Sequence, residues 1–191
     1  MNTQRPQPTI TRVEDALLAE EAAVRRDYAN ARIGMPEGHA VTLLHIGADQ
    51  TLIATGTGLD ATLIRLAMGA QKTAADCFRH HPPTPGEMEN AIMVVEDVLA
   101  PARAMIGKES ALHTTDSNIR EIALLAGLAD QPKLALSIEA VEQTFERLAS
   151  VVQGKPAAIV GMPADARFAA SLLILREFLH HMQFASMTIT R

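Results

Sequence analysis

Residues 42–60, T-L-L-H-I-G-A-D-Q-T-L-I-A-T-G-T-G-L-D, hold the side chains of this sequence best placed to do chemistry. Leu43, Leu44 and Ile46 run into Gly47, a short polar turn follows, and a second apolar run begins at Thr51. That pattern predicts a β-hairpin. Hairpins that grip phosphate build the turn from glycines, because bare backbone N–H groups can then approach an anion closely. Here the turn carries Ala48, Asp49 and Gln50, so a carboxylate stands where an anion would sit. The chemistry in prospect is phosphate handling with altered parts.

The elements that must position this turn belong to a globular chain. Its 191 residues suffice for one well-packed domain. The composition, 48% hydrophobic and 20% charged, is that of a folded protein rather than a disordered one. A net charge of −5 argues against nucleic acid or an anionic membrane as partner, since both select basic surfaces. Arg25–Arg26 and Arg79–His80–His81 are the candidates for a local basic patch, and both read as solvated helix ends. Aromatic residues, at 3%, supply few stacking platforms for bases or sugars. The single cysteine, Cys77, excludes an intrachain disulfide and a cysteine-based metal site, and it reads as a small core residue. The first residues, M-N-T-Q-R-P-Q-P-T, lack the apolar core of a signal peptide, and no apolar run reaches transmembrane length. The expectation is a cytoplasmic protein in a reducing compartment, with neither a membrane nor a nucleic acid as partner.

Residues 1–10, with Pro6 and Pro8, read as a polar tail, and residues 11–191 as a single domain. Val13, Leu17, Val24 and Tyr28 fit one face of a helix over 11–31. The hairpin follows. Residues 61–67 could be a strand or the start of a helix, and 69–79 look helical. Thr84-Pro85-Gly86-Glu87 has the form of a capping box with proline at the first helical position. The helix it opens carries Met88, Ile92, Val95 and Leu99 on one stripe and should end near 106–107. A short strand is expected at 110–114 and a helix over 119–126 stopping at Gly127. Ile138, Val141, Phe145, Leu148 and Val152 space as one helix face. Residues 156–162 read as a short apolar strand or extended segment. Asp165 can cap a last helix bearing Phe168, Leu172, Leu175 and Leu179, and 184–190 alternates as a terminal strand. Early strands pairing as a hairpin, then strands alternating with helices, imply an α/β layered domain with a mixed sheet.

Several blocks in this order resemble one family. H-I-G-A-D-Q-T-L-I-A-T-G resembles the second phosphate-binding hairpin of the exopolyphosphatase / guanosine-pentaphosphate phosphatase family, of the actin–hexokinase–Hsp70 superfamily, where it usually reads D-I-G-G-G-S-T-E-L. L-A-M-G-A-Q-K-T-A-A-D-C-F-R-H-H-P-P-T-P-G-E-M-E is similar to the family's Gly-Ala helix, proline and acidic helix start. F-A-A-S-L-L-I-L-R-E-F-L-H-H-M-Q-F-A-S-M-T-I-T resembles its C-terminal helix and the strand after it, and Glu20-Glu21-Ala22 its E-E-A. The resemblance spans roughly residues 20–190. It implies a single RNase-H-like (actin-like ATPase) lobe with a mixed sheet of about five strands flanked by helices, and it makes 61–67 the third strand. Family enzymes cleave phosphoanhydrides between two such lobes. This sequence is expected to hold the second lobe only.

Residue by residue, the resemblance implies a changed site. The family's hairpin aspartate, which helps hold a divalent metal, is His45 here, and histidine is a poor magnesium ligand. The loop glycines become Ala48 and Asp49, the serine Gln50, and Thr51 is kept. The second loop, G-x-S-G-T in the family, is Thr114, Thr115, Asp116, Ser117 and Asn118. The family's general base resembles Glu20 or Glu21. Two phosphate loops that each gain an aspartate point to a non-hydrolytic single-lobe relative, an interaction or regulatory module. Its exposed wall would be covered by a homodimer mate or a partner protein. A second reading is enzymatic, as a polyphosphate or guanosine-pentaphosphate hydrolase. In it His45, Asp49, His113 and Asp116, on loops the fold would bring to one sheet edge, hold zinc, manganese or iron. A third is phosphate or nucleotide binding without turnover, through donors at Gly47, Thr51, Ser117 and Asn118. His80–His81 and His180–His181 read as helix C-terminal residues complementing the dipole. Glu87, Glu89, Glu96 and Asp97 read as a solvated helix face, because Glu89 and Glu96 lack a histidine at matching spacing.

Overall fold

The computed structural model describes residues 9–107 and 109–191, with side chains from residue 14 onward. Residues 1–8 of the expected tail, and the Val13 side chain, lie outside the described residues. The first helix, α1 (Thr9–Ala31), starts two residues earlier than its periodicity suggests. Val24 and Tyr28 on its inner stripe are buried, whereas Leu17, two turns nearer the start, is exposed.

The hairpin forms as expected. β1 (Val41–Ile46) and β2 (Thr51–Gly56) pair antiparallel with Ile46 opposite Thr51. Residues 61–67 contain β3 (Thr62–Leu66), antiparallel to β2, rather than a helix start. β4 (Ala111–Thr114) runs parallel to β1, and β6 (Ser186–Thr190) parallel to β4. β5 (Lys133–Ser137) closes the sheet as an antiparallel edge beside β6. The order is β3-β2-β1-β4-β6-β5, six strands where about five are expected.

The additional strand is β5. Only Leu134 and Leu136 of its five residues are buried, and it passes directly into α5 (Ile138–Val152) with Ser137 as cap. Its short alternation therefore merges with the apolar pattern of the helix. Residues 156–162, expected to be extended, instead form one helical turn, α6 (Ala157–Val160). Pro156 opens it and Gly161, at φ 67, ends it, the proline-start and glycine-stop arrangement of helices.

Side-chain alternation on β1 and β2 builds two layers. Val41, Leu43, Leu52 and Ala54 pack against Val24 and Tyr28 of α1. Leu44, Ile46 and Ile53 face the opposite way, into the main core. Burial on both faces explains why this hairpin reads as a nearly continuous apolar run. The main core is covered by α2 (Ala70–Cys77), α3 (Pro85–Leu99), α4 (Ser117–Leu125), α5 and α7 (Ala166–Met182). Cys77 is buried there, as its periodic setting suggests.

Local signals hold well at helix starts. Thr84 accepts from the Glu87 N–H while Glu87 Oε2 accepts from the Thr84 N–H at 2.9 Å, so the capping box is complete. Asp165 accepts the Arg167 N–H at 2.7 Å and caps α7. α3 ends earlier than expected, at Leu99, and continues as a 3₁₀ turn over Ala100–Met105. Pro101 has no N–H with which to extend the α-helical ladder. Among the described residues, no helix is long and apolar enough to cross a membrane.

Candidate functional site

β1 and β4 are adjacent and parallel, so their carboxyl ends open on the same edge of the sheet. Open α/β sheets present ligand crevices at such an edge. Gly47 follows β1, Thr115 and Asp116 follow β4, and α1 lays Glu20 beside them.

Three ionisable side chains meet there. His45 Nδ1 lies 2.5 Å from Asp116 Oδ1, and His45 Nε2 lies 3.0 Å from Glu20 Oε1. The second oxygen of each carboxylate is also engaged. Asp116 Oδ2 accepts the Ile46 N–H at 2.6 Å, and Glu20 Oε2 accepts Gln50 Nε2 at 2.8 Å. Asp116 stands at the N-cap position of α4, yet its side chain does not cap that helix. Its carboxylate joins β1 to β4 instead.

Burial is the largest single influence on the His45 pKa and pulls it down. The hydrogen bonds and charges of Asp116 and Glu20 act together against it and push the pKa up to about 9. At neutral pH the ring is an imidazolium that donates through both nitrogens. It then has no lone pair for a metal and none for abstracting a proton. The carboxylate oxygens around it are already accepting hydrogen bonds. This donor set does not fit the divalent ion that the resemblance implies.

The hairpin turn is turned away from anion binding as well. The Gly47 N–H donates to Gln50 O at 2.9 Å. The carbonyls of Gly47 and Ala48 accept from Ala70, Gln71 and Lys72, at 2.9, 2.9 and 3.0 Å, and so occupy the first amides of α2. Free amides of that kind are what make a helix N-terminus attractive to anions. The glycines here permit close approach, Gly69 that of the hairpin to α2 and Gly47 that of Glu20 to the hairpin. A Cβ on Gly69 would lie 2.5 Å from Ala48 O, and one on Gly47 would lie 2.4 Å from Glu20 Oε1.

The remaining sequence candidates scatter. Glu21 points to β3, where Arg65 Nε binds it at 2.5 Å and holds its carboxyl below the usual range. Asp49 is exposed on the turn, and its charge reaches Lys72 of α2. His113 lies in a separate depression with Lys133, and burial lowers its pKa. The structure therefore brings His45 and Asp116 together and leaves Asp49 and His113 apart from them. Among the described residues, no group of three or more His, Cys or carboxylate side chains, each giving one ligand atom within 4.8 Å of all the others, contains any of the four. Thr51 is fully buried and its hydroxyl has no partner among the described residues, so it offers nothing to the cleft. Ser117 and Asn118 are both exposed at the start of α4. Ser117 lines a shallow depression against α1, and Asn118 lines the main cleft.

That cleft has a volume of about 580 Å³ and is bounded by Gly47, Gln71, Asn118, Glu121, Arg167 and Phe168, among others, with Glu20 and His45 on its wall. Gln71, Glu121 and Arg167 are not singled out by the sequence. Arg167 has a local signal, since it follows the Asp165 cap by two residues. The others share an edge only because α2, α4 and α7 converge on it.

No protein-family model matches the chain, and no curated protein sequence does. Solved structures do. A PPX-GPPA enzyme of Aquifex aeolicus superposes with a TM-score of 0.68 at 17% identity, covering 85% of this chain and 56% of that one. An exopolyphosphatase from Cytophaga hutchinsonii gives 0.65 at 17% identity, over 85% of this chain and 57% of that one. An exopolyphosphatase-like protein gives 0.61 at 12% identity, over 81% and 55%. The chain thus spans about half the length of the proteins it matches, and at these identities the likeness is one of fold. The six-stranded mixed sheet and its flanking helices are the fold of one lobe of the Ppx/GppA exopolyphosphatases.

Proposed function

We propose that this chain is a non-hydrolytic relative of the Ppx/GppA phosphatases, a lobe that works as an interaction or regulatory module. The observation that carries the reading is the engagement of both His45 nitrogens, one by Asp116 and one by Glu20. In the family as the sequence resembles it, this place holds a metal-binding aspartate and a glutamate base. Here an internal cation stands between the two carboxylates. A general base needs a free lone pair directed at a water or hydroxyl. Glu20 instead directs its oxygens at His45 and Gln50.

An interaction role is supported by surface chemistry at another edge. Ile33 and Leu59 are each 79% exposed and line one shallow depression. Large apolar side chains gathered on a surface mark contact sites. A second copy of the chain is the simplest occupant. Sedimentation across concentration is expected to show a dimer that Ile33→Asp weakens. A monomer at every concentration would count against self-pairing.

The catalytic side is tested by phosphate release from polyphosphate and guanosine pentaphosphate, with Mg²⁺ and with Mn²⁺. The expected result is no release above buffer. Turnover that disappears in Glu20→Gln would overturn the proposal. A second reading, phosphate or nucleotide binding without turnover, is favoured by Asn118 and Arg167 facing the main cleft. Equilibrium dialysis with polyphosphate tests it, and binding lost in Arg167→Ala would support it.

A further inference from the structure

At the far end of α7 from the cleft, a second group of ligating side chains comes together. Glu177 and His181, four residues apart on α7, meet Glu96 from α3. With about 1.5 Å of rise per residue, His181 lies roughly 21 Å along α7 from Arg167 at the cleft. The sequence gives Glu96 no histidine on its own helix. The packing of α3 against α7 supplies one.

The spacing differs in kind from that at His45. His181 Nε2 is 3.5 Å from Glu96 Oε1 and 3.9 Å from Glu177 Oε2. These separations are wider than good hydrogen bonds. They approach the distance between neighbouring ligand atoms around a tetrahedral ion, roughly 3.3–3.6 Å for bonds of about 2.0–2.2 Å. One atom from each residue lies within 4.8 Å of the other two. The trio at His45, at 2.5 and 3.0 Å, leaves no such room.

The surroundings suit a divalent cation. Glu177 is a buried carboxylate, 3% exposed, and its Oε1 is held by Arg176, which leaves Oε2 for the shared space. A ligating carboxylate whose other oxygen is anchored in this way is the usual outer support of a metal site. Arg176 also binds Glu142, which pairs with His180. With both histidines neutral, Glu96, Glu177 and Glu142 against the single Arg176 leave two negative charges. One nitrogen and two carboxylate oxygens form a donor set that favours zinc-class first-row ions over magnesium or calcium.

We infer that Glu96, Glu177 and His181 form a Zn²⁺-class site that ties α3 to α7, with a fourth position open to water. The alternative is an apo salt-bridge network in which the histidines carry the positive charge. Chelator-treated protein titrated with Zn²⁺ by calorimetry distinguishes the two. One equivalent should bind. Tm should rise by roughly 5–10 °C when free zinc exceeds Kd a hundredfold. Glu96→Gln should weaken binding at least tenfold, and His181→Ala should abolish the stoichiometric event, while His180→Ala should keep it. All three variants leave the Arg176–Glu177 pair in place, and melting in chelator confirms that they fold. Failure of the wild type to bind at 100-fold molar excess of zinc, or binding by His181→Ala equal to wild type, would overturn the assignment.

Discussion

His45 is the residue on which the candidate site turns. Its folded pKa, about 9, lies above the value of about 6.5 for an unperturbed histidine. The charged form is therefore favoured by folding. Its stabilising effect is complete below about pH 6.5 and is lost as pH rises through about 9. Urea midpoints measured from pH 6 to 10 should fall across that window in the wild type and stay flatter in His45→Gln. An NMR titration that finds His45 near its unperturbed value would contradict the ion triad. The sequence identifies His45 and Asp116 as chemically able residues on neighbouring loops. It could not show that they lie at hydrogen-bond distance, which excludes an ion between them. Nor could it choose between Glu20 and Glu21. Successive helical residues point about 100° apart, so the phase of α1 sends one to the cleft and the other to Arg65.

At the scale of elements, the start of α3 is the most locally determined feature. Thr84 and Glu87 satisfy each other's backbone N–H groups, and Pro85 is pre-set for the first turn. The Thr84 amide, followed by the His80 side chain, lowers the Glu87 pKa to about 2. Thr84→Ala should destabilise the protein by about 1 kcal/mol. Chemical denaturation measures this, and an unchanged midpoint would show that the box contributes little. Such caps were legible because every partner lies within four residues. β5 and α6 were not. β5 is defined by its antiparallel pairing with β6, in which Ser137 lies opposite Ser186 and Lys133 opposite Thr190, far apart in sequence, and α6 by a proline and a glycine that overrule an apolar run.

For the whole molecule, α7 is the organising element. Twelve of its 17 residues are buried, and it passes among α2, α3, α4 and α5. A helix buried on nearly every side must lie inside the fold rather than on its surface. Phe178, fully buried and stacked on Phe184 with centroids 5.9 Å apart, sits within it. Phe178→Ala should cost about 3–5 kcal/mol, read as a lower denaturant midpoint at unchanged slope. A loss below about 1 kcal/mol would mean that the surrounding core collapses into the space.

The sequence by itself determined the layered α/β class, the hairpin, the helix caps and the types of residue at the two loops of the sheet edge. These follow from periodicity and from contacts a few residues long. Only the tertiary structure decided what those residues do. It closed His45 between Glu20 and Asp116, across 25 and 71 positions of sequence, and it turned the hairpin carbonyls onto α2. It also brought Glu96 to His181. The reason is physical: ionisation and ligation depend on distances of a few ångströms between groups remote in the chain, and packing alone sets those distances.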